Sequence, residues 1–277
     1  MAKVLFDSRA RQARTHKEDG LRLLTLLDAL RERAAPRVAF SADSALSADE
    51  LRAWQVLIVT TRVNFARDAG FESAYTAGEL DAICEFVRAG GGLLLMSNHA
   101  DLSIGDYEVA DHTRFDAMLA ARFDVTIERT FFAHRENLAR VGTQLQRGHQ
   151  TLSTLSAGCL AEHHPIIRGA DAETRVRSIV TNNGCSIRSP LGTGIVAWSG
   201  ETVDWRNGLP VADRLFAHAI DGPIDVGPTL RGRVVTVADS GFIGSDGTTR
   251  PGPGLIGRGD NLQFVLNAVS WLAGERV

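Results

Sequence analysis

The fold is decided by residues Thr76–Asp101, TAGELDAICEFVRAGGGLLLMSNHAD, which read as a helix, a tight turn, a buried strand and a polar cluster in unbroken order. Thr76 and Glu79 have capping-box spacing, and apolar residues then recur at helical spacing until Gly90–Gly92 ends the helix. Leu93–Met96 is typical of a strand buried on both faces. Because ligands bind beyond the carboxyl ends of strands in open α/β sheets, we expect a site directly after Met96.

The same alternation of strand and helix occurs elsewhere in the chain. Further strands are expected at Lys3–Phe6, Arg37–Phe40, Val56–Thr60 and Arg233–Val237. Together they predict an α/β fold with a mostly parallel sheet and helices on both faces. Residues from about 125 to 225 have a looser pattern, so we expect extra strands there, some of them antiparallel. These form an elaboration of one domain spanning residues 1–277.

The composition is ordinary for a globular protein, with 44% hydrophobic and 23% charged residues among 277. A net charge of −3 gives no basic surface for nucleic acid, and there is no long apolar run to span a membrane. The amino terminus lacks the apolar core of a signal peptide, so a cytoplasmic location is expected. The three cysteines have no metal-type spacing; Cys84 is expected in the core, while Cys185 could lie on an exposed loop.

Polar side chains follow four of the predicted strands, and we expect them to converge at one edge of the sheet. His99 is the favoured general acid or base, because histidine titrates near neutrality, with Asp101 or Asp239 orienting it and Ser97 beside it. A purely structural hydrogen-bonding role for these residues is the alternative. The candidate catalytic residues are therefore His99, Asp101, Asp239 and Ser97.

Other residues are expected to bind the ligand. His164 belongs to the segment HHPIIRG, and Asp260 and Asn261 open the last predicted helix, where they are expected to cap it. The glycine-rich loop from Gly241 to Gly259 is expected to act as a mobile cover, because glycine absorbs backbone rotation at little steric cost. The full set of ligand-binding candidates is Asp7, Asn98, Arg62, Ser240, His164, Asp260 and Asn261.

The residues at the same strand ends could alternatively form a site for a divalent metal ion. Asp7, His99, Asp101 and Asp239 form an oxygen-rich set with one imidazole, which suits magnesium, manganese or zinc. The HxD spacing is too common to identify a metal. No other cofactor is expected.

Four segments carry a resemblance to a known superfamily: FVRAGGGLLLMSNHAD, HHPIIRG, RVVTVADSGF and GDNLQFVLNAVSWL. In this order they resemble a bacterial domain family of the class I glutamine amidotransferase-like superfamily, whose relatives include ThuA-like proteins and domains of gliding-motility and intraflagellar transport proteins. The resemblance implies a flavodoxin-like three-layer sandwich. The catalytic members carry a cysteine in a G-x-C-x-G elbow, where this chain has Met96 to His99, so glutamine hydrolysis is not expected.

Three functions remain open from the sequence. The first is an enzyme without the cysteine that hydrolyses, eliminates or isomerises a small polar or anionic substrate. The second, suggested by the resemblance, is a non-catalytic module that binds a carbohydrate or a peptide. The third is a structural subunit, which predicts an exposed apolar stripe around Phe264 and Trp271 on the last helix. Self-association into a homo-oligomer is compatible with each of them.

Overall fold

The computed structural model describes most of the chain. The described residues are 2–7, 23–33, 38–41, 45–62, 74–100, 102–104, 107–109, 113–140, 151–211, 213–223, 229–244 and 254–275.

The described ranges form an α/β structure with fourteen strands and six α-helices. The helices are α1 (Leu24–Arg33), α2 (Ala48–Leu51), α3 (Ala77–Arg88), α4 (Arg114–Ala120), α5 (Pro165–Arg168) and α6 (Asn261–Leu272). The strands are β1 (Val4–Phe6), β2 (Val38–Phe40), β3 (Val56–Val59), β4 (Gly92–Met96), β5 (Leu102–Ile104), β6 (Tyr107–Val109), β7 (Thr126–His134), β8 (Ser153–Leu155), β9 (Ile179–Thr181), β10 (Asn183–Arg188), β11 (Thr193–Ala197), β12 (Thr202–Asp204), β13 (Leu215–Ile220) and β14 (Arg233–Val237).

The five strands predicted from the apolar runs all belong to one sheet and are parallel to one another. Their order is β2-β1-β3-β4-β14. Counted among themselves this is the order 2-1-3-4-5, which is that of flavodoxin-like doubly wound sheets. The prediction that these five runs pair in a single parallel arrangement is therefore confirmed, with boundaries that shift by one residue at several ends.

The segment between residues 126 and 220 contributes more to this sheet than the sequence suggested. Strands β12, β7, β10 and β13 continue the sheet beyond β14 in antiparallel pairings, and β11 also pairs with β13. The central sheet is thus mixed, with a parallel part and an antiparallel part of similar size. Strands β5 with β6, and β8 with β9, form two small separate hairpin-like pairs.

The helices cover both faces of the parallel part. The step from β1 to β2 and the step from β3 to β4 run in opposite directions along the sheet. Because such connections are right-handed in about 98% of cases, α1 and α3 lie on opposite faces. Contacts of α6 with α1, and of α2 with α3, complete the two layers.

The last helix is buried rather than exposed. Phe264 and Trp271 are only 0% and 4% exposed, because α6 packs its apolar residues against β4 and β14. The exposed apolar stripe expected for a structural subunit is therefore not found there, and that expectation was wrong. Within the described ranges, no helix is both long enough and apolar enough to cross a membrane.

The turn before β4 and the residue before β14 approach one another very closely. Gly232 donates its backbone N–H to the carbonyl of Val87, and a Cβ at Gly232 would overlap the carbonyl oxygens of Gly91 and Val87. Both groups are backbone atoms, so neither can rotate away. The close approach of β14 to the end of α3 therefore depends on the missing side chain.

We expect Gly232→Ala to destabilise the protein by about 2 kcal/mol or more, because overpacking against backbone atoms forces β14 to shift. Gly78→Ala is a matched control in α3, since a Cβ at Gly78 meets nothing within 4 Å. That control should be neutral or stabilising by up to about 1 kcal/mol, as alanine favours helix. Urea unfolding of both variants measures the difference, and equal midpoints would contradict the packing described here.

Candidate functional site

Polar residues at the carboxyl ends of the parallel strands are almost entirely buried. Asp7 follows β1, Thr60–Arg62 follows β3, Ser97–His99 follows β4, and Asp239 follows β14; each of these residues is at most 8% exposed. The strand order reverses between β1 and β3, which makes the space beyond them the switch point where α/β proteins bind ligands. Asp7 and Arg62 stand at that point.

A buried group, here called the switch-point cluster, consists of Asp7, Arg62, Tyr75, Glu79 and Asp116. The guanidinium of Arg62 donates from Nε to Asp7 Oδ2 at 2.7 Å and from Nη2 to Glu79 Oε1 at 3.0 Å. Its Cζ lies 3.8 Å from the centre of the Tyr75 ring. All three ion-pairing side chains are fully buried, so the cluster ties β1, the end of β3 and α3 together without help from solvent.

The charges of the cluster are stabilised mutually. Burial acts to lower the pKa of Arg62, but Tyr75 and the carboxylates of Asp7 and Glu79 outweigh it and raise that pKa above its ordinary value. Burial likewise acts to raise the pKa of Glu79, and the Arg62 guanidinium holds it below the usual range. Glu79 also accepts hydrogen bonds from the backbone N–H groups of Thr76 and Leu46. Both groups are therefore charged in the folded protein.

Asp116 is the member of the cluster that titrates near neutrality. Its Oδ1 accepts a hydrogen bond from the backbone N–H of Arg62 at 3.1 Å. Burial raises the pKa of Asp116 to about 7, against the lowering effects of this N–H and of the nearby Ser97 and Thr61 hydroxyls. A buried carboxyl with a pKa raised this far is a candidate functional group.

The end of β3 is strained beside Asp116. Thr61 has a φ of 88°, in the left-handed region that β-branched residues rarely adopt. Its hydroxyl donates to the carbonyl of Met96 at 2.8 Å, which links the ends of β3 and β4. Strain of this kind persists only where the surrounding structure enforces it.

Five buried polar atoms near the cluster have no hydrogen-bond partner among the residues that the structure describes. They are Thr60 Oγ1, Arg62 Nη1, Tyr75 OH, Ser97 Oγ and Asp116 Oδ2. Thr60, Arg62 and Ser97 follow β3 or β4, Tyr75 precedes α3, and Asp116 lies in α4. Isolated cases occur in any protein, but five in one place require an explanation.

A second polar group follows β14 and is fully hydrogen-bonded. Asp239 accepts from Asn98 Nδ2 at 3.2 Å, from Thr181 Oγ1 at 2.5 Å and from the backbone N–H of Gly241 at 2.6 Å. The Asn98 amide also donates to Ser240 Oγ. Burial raises the pKa of Asp239 to about 6, while the hydroxyl of Thr181 and backbone N–H groups act to lower it.

His99 is placed differently from the sequence expectation. The side chain that reaches Asp239 from the loop after β4 is Asn98, whereas His99 Nδ1 lies 3.0 Å from the carbonyl oxygen of Ala100. The imidazole packs on Phe131, with ring centres 4.4 Å apart. The other proposed partner, Asp101, lies outside the described residues.

The candidate metal ligands are divided between different interactions. Asp7 is paired with Arg62, and Asp239 is bonded to Thr181 and Asn98. Among the residues that the structure describes, no three histidine, cysteine or acidic side chains are grouped so as to hold a metal ion.

His164 lies at the opposite edge of the sheet from Asp239. It caps α5, where its Nδ1 accepts from the backbone N–H of Ile166 at 3.3 Å, and its ring packs on Trp271 at 5.3 Å. Trp271 in turn contacts Arg233, the first residue of β14. The structure therefore separates His164 from the other candidates, because a strand length lies between them. Burial lowers the pKa of His164 to about 4.

Asp260 and Asn261 lie near the carboxyl edge, but their side chains bond backbone groups of the protein instead of facing a ligand site. Asp260 makes no side-chain cap on α6; its Oδ2 accepts from the N–H groups of Arg177 and Ser178. Asn261 bonds both the N–H and the carbonyl of Val180 and donates to further carbonyls of the chain. The expected caps are thus replaced by bonds that hold β9 against α6.

Neither of the two buried thiols is activated. Cys84 is buried in α3 and burial raises its pKa, as expected for a core residue. Cys185, which the sequence left open as an exposed residue, is buried in β10; burial and the nearby Asp116 raise its pKa. Cys159 is half-buried and free.

Several members of the site were missed from sequence. Glu79 was predicted only as half of a capping box, which it does form, and Asp116 was not predicted at all. Thr181 and Tyr75 carried no signal at all. An acidic residue on the core-facing side of α4 was the one available hint, because a carboxyl there must find a buried partner.

Comparisons with known proteins identify the fold and no family. No family model matches the chain, and no curated protein matches it. Among solved structures, the mmIFT52 N-terminal domain superposes with a TM-score of 0.66 at 12% identity, covering 100% of this chain and 99% of that one.

Two further structures match over nearly the whole chain. A putative ThuA-like protein from Parabacteroides merdae has a TM-score of 0.51 at 10% identity, covering 100% of this chain and 91% of that one. The cytoplasmic protein STM3548 from Salmonella typhimurium has a TM-score of 0.50 at 14% identity, with 98% of each chain covered. The chain therefore shares the fold of these proteins, one of which is ThuA-like, and at these identities the likeness says nothing of activity.

We expect Arg62→Met to destabilise the protein by about 3 to 5 kcal/mol, because it leaves two buried carboxylates without their cation. The control is Arg52→Met, whose ion pair with Asp49 is exposed and should contribute less than about 1 kcal/mol. Adding Asp7→Asn and Glu79→Gln to Arg62→Met removes the orphaned charges and should recover part of the loss. Urea unfolding measures all three; equal effects of Arg62→Met and Arg52→Met would contradict the role given to the cluster.

Proposed function

We propose that the chain is a ligand-binding module that holds a small, uncharged polar molecule at the switch-point cluster. The observation that carries this proposal is the group of five buried polar atoms without hydrogen-bond partners. Each such atom costs about 1 to 3 kcal/mol if it stays unpaired. A guest that bonds several of them recovers much of that cost, which gives the site an affinity for polar molecules.

The charges of the cluster favour an uncharged guest over the anion that the sequence left open. Two carboxylates, Asp7 and Glu79, already share the single guanidinium of Arg62. An anionic ligand would add a further negative charge to a water-poor space, where repulsion is strong. The unpartnered atoms include the hydroxyls of Thr60, Tyr75 and Ser97, which can donate or accept. Alcohol groups match such a set, and this supports the carbohydrate alternative over a peptide.

Access to the cluster requires an opening movement. The five atoms are covered in the structure, so a ligand enters only when the segments above the carboxyl edge separate. The glycine-rich segment after Ser240 is our proposed cover; residues 245–253 of it lie outside the described residues. The amidotransferase-like fold supports a site at this edge, and we propose the full flavodoxin-like three-layer sandwich as its architecture.

Isosteric removal of the unpartnered hydroxyls tests the proposal. We expect Tyr75→Phe, Ser97→Ala and Thr60→Val to leave the free protein as stable as before, or up to about 1 kcal/mol more stable, because each deletes an unpaired group. The same variants should reduce the rise in melting temperature that neutral sugars and polyols produce.

The control for that experiment is Ser199→Ala, whose hydroxyl is bonded to Thr202 away from the cluster. It should leave the response to sugars unchanged. The binding proposal is wrong if no sugar or polyol raises the melting temperature of the parent protein. It is also wrong if the three variants respond to sugars as the parent does.

A second candidate is an acid–base enzyme without a thiol, and a different observation favours it. The pKa of Asp116 is raised to about 7 and that of Asp239 to about 6, so two carboxyls at one sheet edge change protonation near physiological pH. Groups with such pKa values serve as general acids and bases. In this proposal they act with His99, and the reaction is a hydrolysis, elimination or isomerisation. Glutamine is not its substrate, because both buried thiols have raised pKa values.

The pH dependence of stability tests the protonation state of Asp116. Its pKa lies above the ordinary 3.8, so between about pH 4 and pH 7 the folded protein keeps a proton that the unfolded chain releases. The free energy of unfolding should therefore fall as pH rises through this window. In the parent this fall should amount to about a few kcal/mol, and in Asp116→Asn it should be absent. Parallel profiles for the two proteins would show that Asp116 is ionised throughout and would remove the acid–base candidate.

The other sequence predictions stay predictions. A divalent metal, a cytoplasmic location and self-association are proposals that rest on the residues and the resemblance given above.

A further inference from the structure

A cleft of about 560 Å³ lies beside α5 and shares no residue with the switch-point cluster. It is formed by the loop at residues 168–177 on one side and by Ala157 and Leu160 on the other. Three exposed arginines, Arg168, Arg175 and Arg177, line it.

Two acidic residues, Glu162 and Asp171, also line the cleft. Asp171 is bound within its own turn, where Oδ1 accepts from the N–H groups of Glu173 and Thr174 and from the Thr174 hydroxyl. Glu162 pairs with Arg175 at 2.8 Å. The side chain of Arg168 forms no ion pair or hydrogen bond with a described residue. The cleft therefore holds more positive than negative charge.

The loop that carries the arginines is fixed before any ligand arrives. Arg177 donates from Nη2 to the carbonyl of Ala172 at 2.7 Å, which orients its guanidinium. Asn267 of α6 donates to the carbonyls of Ile166 and Thr174. Gly169 has a φ of +68°, and a Cβ there would lie 2.5 Å from the Thr174 carbonyl oxygen. These bonds hold the loop in place, so a ligand of the arginines would not have to order it.

We propose that this cleft binds a phosphate group, either free or as the ester of a larger molecule. Guanidinium groups bond phosphate oxygens in pairs, and a dianion gains from three of them where a single carboxylate does not. The volume exceeds that of one phosphate and falls within the range of small-molecule sites, so part of an ester also fits between the arginines and Leu160.

Calorimetric titration at low ionic strength tests the proposal with orthophosphate, pyrophosphate and phenyl phosphate as probes. We expect Arg168→Gln to weaken pyrophosphate binding about tenfold, since a charge-assisted pair is lost. The pyrophosphate affinity of Arg168→Lys should lie between those of the parent and of Arg168→Gln, because lysine keeps the positive charge but not the paired N–H donors of the guanidinium. The Arg168 side chain bonds no other described residue, so both Arg168 variants should melt at the same temperature as the parent protein. Arg52→Gln, at an exposed arginine outside the cleft, is the control and should bind as the parent does.

Glu162→Gln gives an independent arm, because it frees Arg175 from its competing carboxylate. It should strengthen pyrophosphate binding about two- to threefold. Tighter binding of phenyl phosphate than of orthophosphate indicates an ester as the natural ligand, and the reverse indicates free phosphate; both support the site. The proposal is overturned if none of the probes binds, if Arg52→Gln weakens binding as much as Arg168→Gln, or if Glu162→Gln weakens it.

Discussion

The contact on which the rest of the structure depends is that of the Arg62 guanidinium with the carboxylates of Asp7 and Glu79, all fully buried. Removing three charges from water is expensive, and only close, hydrogen-bonded partners offset that cost. The geometry supplies them: the bonds are 2.7 and 3.0 Å long and the Tyr75 ring covers the cation. The pairing fixes the ends of β1 and β3 relative to α3.

How much of the fold can be predicted from sequence differs between the two parts of the sheet. Strands such as Leu93–Met96 and Val56–Val59 are continuous apolar runs, because helices bury both their faces, and such runs stand out. In β7, by contrast, exposed, half-buried and buried residues succeed one another without a clean period. Its pairing with β10 also contains a register shift. The antiparallel part therefore depends on contacts distant in sequence, which a local pattern does not contain.

The candidate site shows the same division. Asp7, Arg62, Ser97 and Asp239 were predictable at this edge because each follows a strand whose direction the sheet fixes. Their partners were not, because partner choice is decided by side-chain geometry: Asn98 rather than His99 reaches Asp239, and Arg62 bonds Asp7. Asp116 comes from a helix whose placement on the sheet no local signal specifies. The sequence therefore predicts which edge of the sheet carries the polar residues, but not which of them bond to one another.

Glu79 belongs both to a helix cap and to the buried ion pair, and this has a consequence for how the protein opens. Its carboxylate accepts from Thr76 at the start of α3, from Leu46 of a preceding loop and from Arg62. Helix ends normally fray independently of the core, and their amide hydrogens exchange rapidly. If the first turn of α3 unwinds, Glu79 leaves Arg62 and the buried guanidinium loses one of its two carboxylates. The amides of that turn should accordingly exchange with solvent only when the parallel sheet itself unfolds, so this helix end belongs to the slowest-exchanging unit of the protein.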